Sequence, residues 1–101
     1  MKATILPGSV VFSKKGRDKT RCFVVLLSVD ADFVMLADGD TRKLDHLKKK
    51  RRKHLSAAPV QLDGILSMYR AGQLKDSDIR KALAPYRADS LPREAQELRE
   101  G

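Results

Sequence analysis

Short apolar runs alternate with polar turns over the first half of this chain, and the pattern predicts β-strands. The run Val10-Val11-Phe12 leads into a glycine-centred loop, a longer run follows from Cys22 to Val29, and Asp38-Gly39 closes another apolar run with a tight-turn dipeptide. The predicted strands are Ser9–Ser13, Arg21–Val29, Phe33–Ala37 and Thr41–Leu44, with a short fifth strand near Lys53–Leu55.

Strands of this length with such short loops form an antiparallel meander, which has to curl to bury its apolar faces. We therefore expect a small SH3-like β-barrel. The second strand is apolar on both faces, because Phe23, Val25 and Leu27 alternate with Val24 and Leu26. One of these faces points into the barrel, and the other needs a cover from elsewhere in the chain.

The second half of the chain changes to a helical period and offers that cover. Leu62, Ile65, Leu66 and Tyr69 recur at the spacing of one helix face, with Gly72 as the predicted cap. A second helix is predicted to start after Asp76, its predicted N-cap, with Ile79, Leu83 and Tyr86 on its apolar side, and a weaker helical pattern covers 91–101. We divide the chain into a barrel with a basic run, residues 1–57, and a helical appendage, residues 58–101. The helices either cover the barrel or offer their apolar face to a protein partner.

The charge is distributed very unevenly along the 101 residues. The formal net charge is +8, and residues 1–55 hold 14 of the 21 Lys and Arg but only 6 of the 13 Asp and Glu. The remaining residues carry no net charge. Folding does not require such asymmetry, whereas a polyanionic partner is attracted by it, and nucleic acid is the partner we expect.

Two segments concentrate this positive charge. The first is the glycine-centred loop 14–21, where cationic side chains can neutralise phosphates and the glycine lets the backbone approach them closely. The second is a run of six consecutive cations, which mutual repulsion should keep from packing on itself, so that it is either a solvated linker or a phosphate-binding arm. Arg42 and Lys43 either extend the basic face or pair with neighbouring acids. The candidate RNA-binding residues are Lys14, Lys15, Gly16, Arg17, Lys19, Arg21, Arg42, Lys43, Lys48, Lys49, Lys50, Arg51, Arg52 and Lys53.

Other chemistries find little support in the sequence. Cys22 is the single cysteine and lies in an apolar run, so we interpret it as a small buried hydrophobe. His46 and His54 flank the cationic run, which opposes metal binding, and no nucleophile–base pattern or phosphate-binding loop occurs. The five aromatic residues mostly occupy core-like positions, which does not indicate a stacking platform. We expect no enzyme activity, no cofactor, no metal, no small-molecule substrate and no membrane association, and a cytoplasmic location.

The segment 7–19, Pro-Gly-Ser-Val-Val-Phe-Ser-Lys-Lys-Gly-Arg-Asp-Lys, followed by Phe23-Val24-Val25, resembles the KOW motif. The chain is similar to bacterial KOW-domain RNA-binding proteins, which are related to large-subunit ribosomal proteins of archaea and eukaryotes. Segment 37–44, the basic run ending in Lys53-His54-Leu55, and segment 78–83 add to the resemblance. The sequence departs from it at Thr20, where a second glycine is expected, because threonine disfavours positive φ.

The resemblance implies an SH3-like barrel that binds structured RNA, such as ribosomal RNA, without catalysis. It points to Lys14, Lys15, Arg17 and Lys19 in the KOW loop. The resulting hypothesis is an RNA-binding accessory protein of translation. The alternative is a KOW module that binds proteins in transcription or ribosome assembly. Steep loss of binding with salt, together with sensitivity to ribonuclease, distinguishes RNA from a protein partner.

Overall fold

A five-stranded antiparallel sheet, followed by two helices, makes up the fold in the computed structural model of the chain, which describes residues 5–14 and 21–87. The strand order is β4-β3-β2-β1-β5, and the sheet is not closed within these residues. The strands are β1 (Ser9–Ser13), β2 (Cys22–Ser28), β3 (Phe33–Ala37), β4 (Lys48–Arg51) and β5 (Leu55–Gln61). The helices are α1 (Asp63–Arg70) and α2 (Asp76–Leu83), with 3-10 turns at Leu44–His46, Arg52–His54 and Ala84–Tyr86.

The first three predicted strands are confirmed, and the later ones are displaced. The prediction of a strand over Thr41–Leu44 is wrong, because that segment belongs to a loop and a 3-10 turn. The fourth strand instead lies within the cationic run, at Lys48–Arg51. The short strand expected near Lys53–Leu55 is also displaced, since a 3-10 turn occupies Arg52–His54 and β5 continues through residue 57 to Gln61.

Apolar side chains fill both faces of the sheet, as the double-sided pattern of β2 predicted. An inner cluster contains Ile5, Val11, Phe23, Val25, Val34, Leu36 and Leu55. An outer cluster contains Val10, Cys22, Val24, Leu26 and Ala37 from the sheet, together with Ile65, Ile79 and Leu83 from the helices. The helices therefore dock on their own sheet. Each fully buried aliphatic side chain contributes about 1.5–3 kcal/mol relative to an exposed one.

The apolar helix residues identified in the sequence are used for this docking. Ile65 and Leu66 are buried, and Leu62 and Tyr69 pack against the outer cluster while partly exposed. Gly72 ends α1 with φ of +72°, and the backbone N–H groups of Gly72 and Gln73 donate to the carbonyls of Tyr69 and Met68. This pair of hydrogen bonds is a Schellman cap, which favours glycine at the left-handed position. Of the two roles considered for these helices, the structure shows the covering role.

Asp38 explains why residues 38–43 form a loop rather than a strand. One carboxylate oxygen accepts backbone N–H groups from Asp40 and Arg42 at 2.9 and 2.8 Å. These donors are consequently drawn into a local turn and are lost to any strand ladder. Gly39 has φ of +77°, and a Cβ atom there would lie 2.3 Å from the Asp76 carbonyl oxygen, so α2 fits directly against this loop.

Candidate nucleic-acid interface

The first four residues of the cationic run form β4, an edge strand of the sheet, which corrects the expectation of a segment that does not pack. In β4, Lys48 and Lys50 lie opposite Leu36 and Val34 of β3, two members of the inner cluster. Both lysines are half-buried, which is consistent with aliphatic stems that cover apolar surface while the ammonium groups reach water. Because successive residues of a strand point to opposite faces, neighbouring cations diverge, and the repulsion between them is reduced.

The two exposed cations of β4 lie on the outer face. Arg51 is opposite Phe33 and Lys49 is opposite Met35 in the β3–β4 register. The Lys49 Nζ atom lies 4.6 Å from the centroid of the Phe33 ring, and the Arg51 Cζ atom lies 5.0 Å from it. These are cation–π contacts, each worth about 0.5–1 kcal/mol at an exposed site. Phe33 is only half-buried, so it does not belong to the core-like positions that most of the aromatic residues were predicted to occupy. Its alternation with the buried Val34 indicates this in the sequence.

Arg52 belongs to the cationic run but has a structural role. Its guanidinium donates to the carbonyl oxygen of Asp30 at 3.0 Å, to that of Ile5 at 2.6 Å and to the Ser28 hydroxyl. Its own backbone N–H donates to the carbonyl of Asp32 at 2.8 Å. The side chain therefore joins the segment before β1 to the β2–β3 turn, and most of its hydrogen-bonding capacity is used within the protein.

The two basic segments of the sequence meet at one place. Lys14, the first residue after β1, donates its backbone N–H to the carbonyl of His54 at 2.8 Å, directly after Lys53. The side chains of Lys14 and Lys53 are both exposed. The other predicted loop residues, Lys15, Gly16, Arg17 and Lys19, lie outside the described residues.

The remaining candidates surround Asp38 and are partly neutralised. An Arg21 guanidinium nitrogen lies 3.2 Å from an Asp38 carboxylate oxygen and 3.8 Å from one of Asp40. Arg42 is half-buried, with its backbone bonded to Asp38, and Lys43 is exposed. Pairing with acids was considered for Arg42 and Lys43, but the salt bridges to Asp38 and Asp40 are formed by Arg21. The charge of Arg21 therefore contributes less to an external field than that of exposed Lys53.

Burial opposes ionisation of Asp38, but hydrogen bonds outweigh it. The backbone N–H groups of Arg42 and Asp40, the Thr41 hydroxyl and the charge of Arg21 hold the pKa of this carboxyl below its ordinary value. Asp30 is fully exposed, and its pKa is lowered by backbone N–H groups of Asp32 and Phe33. Both acids consequently remain ionised at neutral pH and accept hydrogen bonds from backbone N–H groups of the turns.

Several acids accept hydrogen bonds from the protein backbone, whereas Lys49 and Arg51 of β4 are exposed to solvent. Asp76 accepts the Leu44 N–H at 2.8 Å, and Asp78 accepts the Lys75 N–H at 3.1 Å at the start of α2. Arg21 forms salt bridges with Asp38 and Asp40, at the opposite end of β3 from Arg51. The region around β4 and Lys14 is therefore strongly positive and can attract a polyanion.

Cys22 is buried, as expected, and has no sign of nucleophilic activation. Burial raises the pKa of its thiol to about 12. Because the thiolate is the reactive form, this cysteine is inert at neutral pH.

In the part of the chain that the structure covers, no helix combines the length and apolar character needed to span a membrane. A comparison with models of known protein families finds no match. A search among curated protein sequences finds no similar protein either.

Proposed function

We propose that the protein is an RNA-binding accessory protein of translation that acts in the cytoplasm by binding rather than by catalysis. In this proposal a KOW-type SH3-like barrel presents the basic loop 14–21 and the cationic run 48–53 to ribosomal or other structured RNA. The five-stranded antiparallel sheet with an apolar cluster on its inner face supports the barrel assignment. The residues that resemble the KOW motif include β1 and the start of β2.

One observation carries the proposal: the backbone hydrogen bond from Lys14 to His54 joins the start of the basic loop to the end of the cationic run. Two segments about 40 residues apart in sequence therefore meet at Lys14, and in this proposal they form one continuous positive region. A phosphate backbone has regularly spaced charges, so it gains more from a continuous surface than from separated lysines. A small acidic ligand would not require this extent.

The test compares two variants, one that loses two positive charges at this junction and one that loses two positive charges on the helices. The variant Lys14→Gln/Lys53→Gln changes exposed cations at the junction, and the control Arg70→Gln/Lys81→Gln changes exposed cations on α1 and α2. Binding to a structured ribosomal RNA fragment is measured between 50 and 200 mM salt. The slope of log K against log salt is negative, and the junction variant should make it less steep by about 1.5. The reason is that each lost phosphate contact reduces the magnitude of the slope by about 0.7–0.9.

The control variant should keep nearly the wild-type slope, since it removes an equal charge elsewhere. Equal losses in the two variants would show that only net charge matters and would reject the proposed surface. Absence of RNA binding at 50 mM salt would reject the function itself. The alternative, a protein-interaction module, predicts a complex that survives both ribonuclease and added salt.

A further inference from the structure

The outer face of the sheet carries a second surface that the basic segments do not explain. The helices cover one end of this face, where Ala37 and Val24 belong to the outer cluster. Phe33 and Met35 lie on the same side of β3 as Ala37, because they alternate with the inward Val34 and Leu36. They are only half-buried, so the helices leave this end of the face open.

Two parallel rows of side chains cross the open end. In one row Leu27 of β2 lies opposite Met35, which lies opposite Lys49. In the other, Val29 donates its backbone N–H to the Phe33 carbonyl, and Phe33 lies opposite Arg51. Each row therefore runs from an aliphatic residue through a larger apolar residue to a cation. We call these six residues the outer patch.

The bulge in β2 explains why leucine and valine are exposed there. Val25 lies opposite Leu36 and Leu27 lies opposite Met35. Leu26 therefore has no partner of its own in β3 and is the additional residue of the bulge. After the bulge Leu27 is brought to the outer side, where it is 45% exposed, and Val29 is 46% exposed. Bulges of this kind commonly re-aim side chains at functional surfaces.

An open cleft of about 210 Å³ continues the patch beyond the end of β4. Ala31, Asp32, Arg51, Arg52 and Lys53 line it. Arg51 belongs to both the patch and the cleft, and Lys53 contributes an exposed ammonium group. Arg52 is engaged with backbone carbonyls, and Asp32 adds one negative charge, so Arg51 and Lys53 are the groups available for an anion.

We propose that the outer patch binds unpaired nucleotides of RNA, with bases on the apolar part and the adjoining phosphates at Lys49, Arg51 and Lys53. This inference rests on the proposed function and specifies the form of RNA. Unpaired bases expose flat apolar faces that stack on aromatic rings and guanidinium planes, whereas a paired helix presents mainly phosphates and sugars. The rows are spaced about 7 Å apart along the strands, which provides two adjacent sites.

Charge complementarity favours nucleotides over an apolar peptide at this surface. Each row ends in a cation, and β4 contains no acid or neutral polar residue. In a single-stranded nucleic acid every unit has a charged phosphate and a flat apolar base. The phosphate can contact the cation of a row, and the base can contact its apolar residues. An apolar peptide would bury Lys49 and Arg51 without compensation, which is costly.

The test compares an unstructured 12-nucleotide RNA with an RNA duplex that has the same number of phosphates. Phe33→Leu keeps an apolar side chain but removes the ring, and it should weaken binding of the unpaired RNA about fivefold or more while leaving duplex binding unchanged. Phe33→Tyr retains the ring and should bind like the wild type. Leu27→Ser should also weaken unpaired RNA, whereas Leu6→Ser, at a leucine of nearly equal exposure outside the patch, should not.

Methionine methyl NMR of the wild-type protein gives a reading that does not depend on any variant. The chain has three methionines, of which Met35 lies in the patch and Met68 lies on α1. The Met35 methyl signal should shift on addition of the unpaired RNA and not on addition of the duplex, while Met68 should stay unchanged in both cases.

Failure of this inference is distinguishable from failure of the proposed function. If wild-type protein binds both RNAs, but Met35 does not shift and Phe33→Leu binds normally, the patch does not bind bases and the basic surface still does. That result would also be obtained if the patch serves a protein partner. If wild-type protein binds neither RNA at 50 mM salt, both proposals are rejected.

Discussion

Single residues show how this chain separates the roles of its charges. Asp38 is 1% exposed, yet it is ionised, because backbone and hydroxyl donors and one Arg21 nitrogen surround its carboxylate. It organises a loop against which α2 packs, so it contributes to stability rather than to ligand binding. The sequence correctly placed a turn at Asp38-Gly39. It gave no indication that the carboxylate would capture Arg42 as well and so prevent a strand over Thr41–Leu44.

Asp38→Asn should change stability in a pH-dependent way. In the wild type the pKa of Asp38 is lowered below its ordinary value of 3.8, so its contribution is complete above that pH and is lost as pH falls through the folded pKa. The amide nitrogen of Asn would face the Arg21 donor, and we expect the variant to be less stable by about 2 kcal/mol at pH 7. Urea unfolding at pH 7, 4 and 2.5 should show a difference that shrinks towards the acidic end. A difference that stays constant would contradict the ionised state of Asp38.

At the scale of elements, β4 is where sequence and structure differ most. Six consecutive cations predict repulsion, and the sequence alone does not show that two of them, Lys48 and Lys50, lie beside Leu36 and Val34. Strand pairing separates neighbouring side chains onto opposite faces, which the linear charge pattern conceals. Edge strands rich in lysine also resist pairing with other chains, so β4 protects the sheet edge as well as carrying charge. The charge pattern predicted that the whole run binds RNA and did not assign its members different roles.

The members of the run should separate experimentally into structural and binding residues. Arg52→Gln removes the guanidinium that joins Ile5, Ser28 and Asp30, and it should lower the free energy of unfolding by about 1–3 kcal/mol. Its effect on the salt slope of RNA binding should be small. Lys53→Gln makes the same change in charge at an exposed neighbouring position. It should leave the free energy of unfolding nearly unchanged and reduce the salt slope of RNA binding. Thermal unfolding and salt-dependent binding measure both properties, and equal salt slopes for the two variants would contradict this division.

At the scale of the whole molecule, the sequence predicted the arrangement of layers better than the details of the sheet. Because β2 is apolar on both faces, the face that points away from the inner cluster needs a cover. The helical period of Leu62, Ile65, Leu66 and Tyr69 predicted that a helix supplies this cover. The β2 bulge at Leu26 was not predictable, because the apolar run is continuous there and many registers would bury it equally well. The outer patch depends on that bulge, so the patch could not be predicted from the sequence without the register of β2 and β3.

Because one cluster joins sheet and helices, residues 5–14 and 21–87 should unfold as one unit. Ile79 of α2 is fully buried with Cys22, Val24 and Leu26 of β2, and Ile79→Ala should cost about 3–4 kcal/mol. Hydrogen exchange should give similar opening free energies for the core amides of β2 and of α2, and the variant should lower both equally. Helices that open independently would instead lose protection while β2 keeps it. That outcome would mean that the outer cluster is a weak contact between two units and that the outer face can be uncovered as far as Ala37.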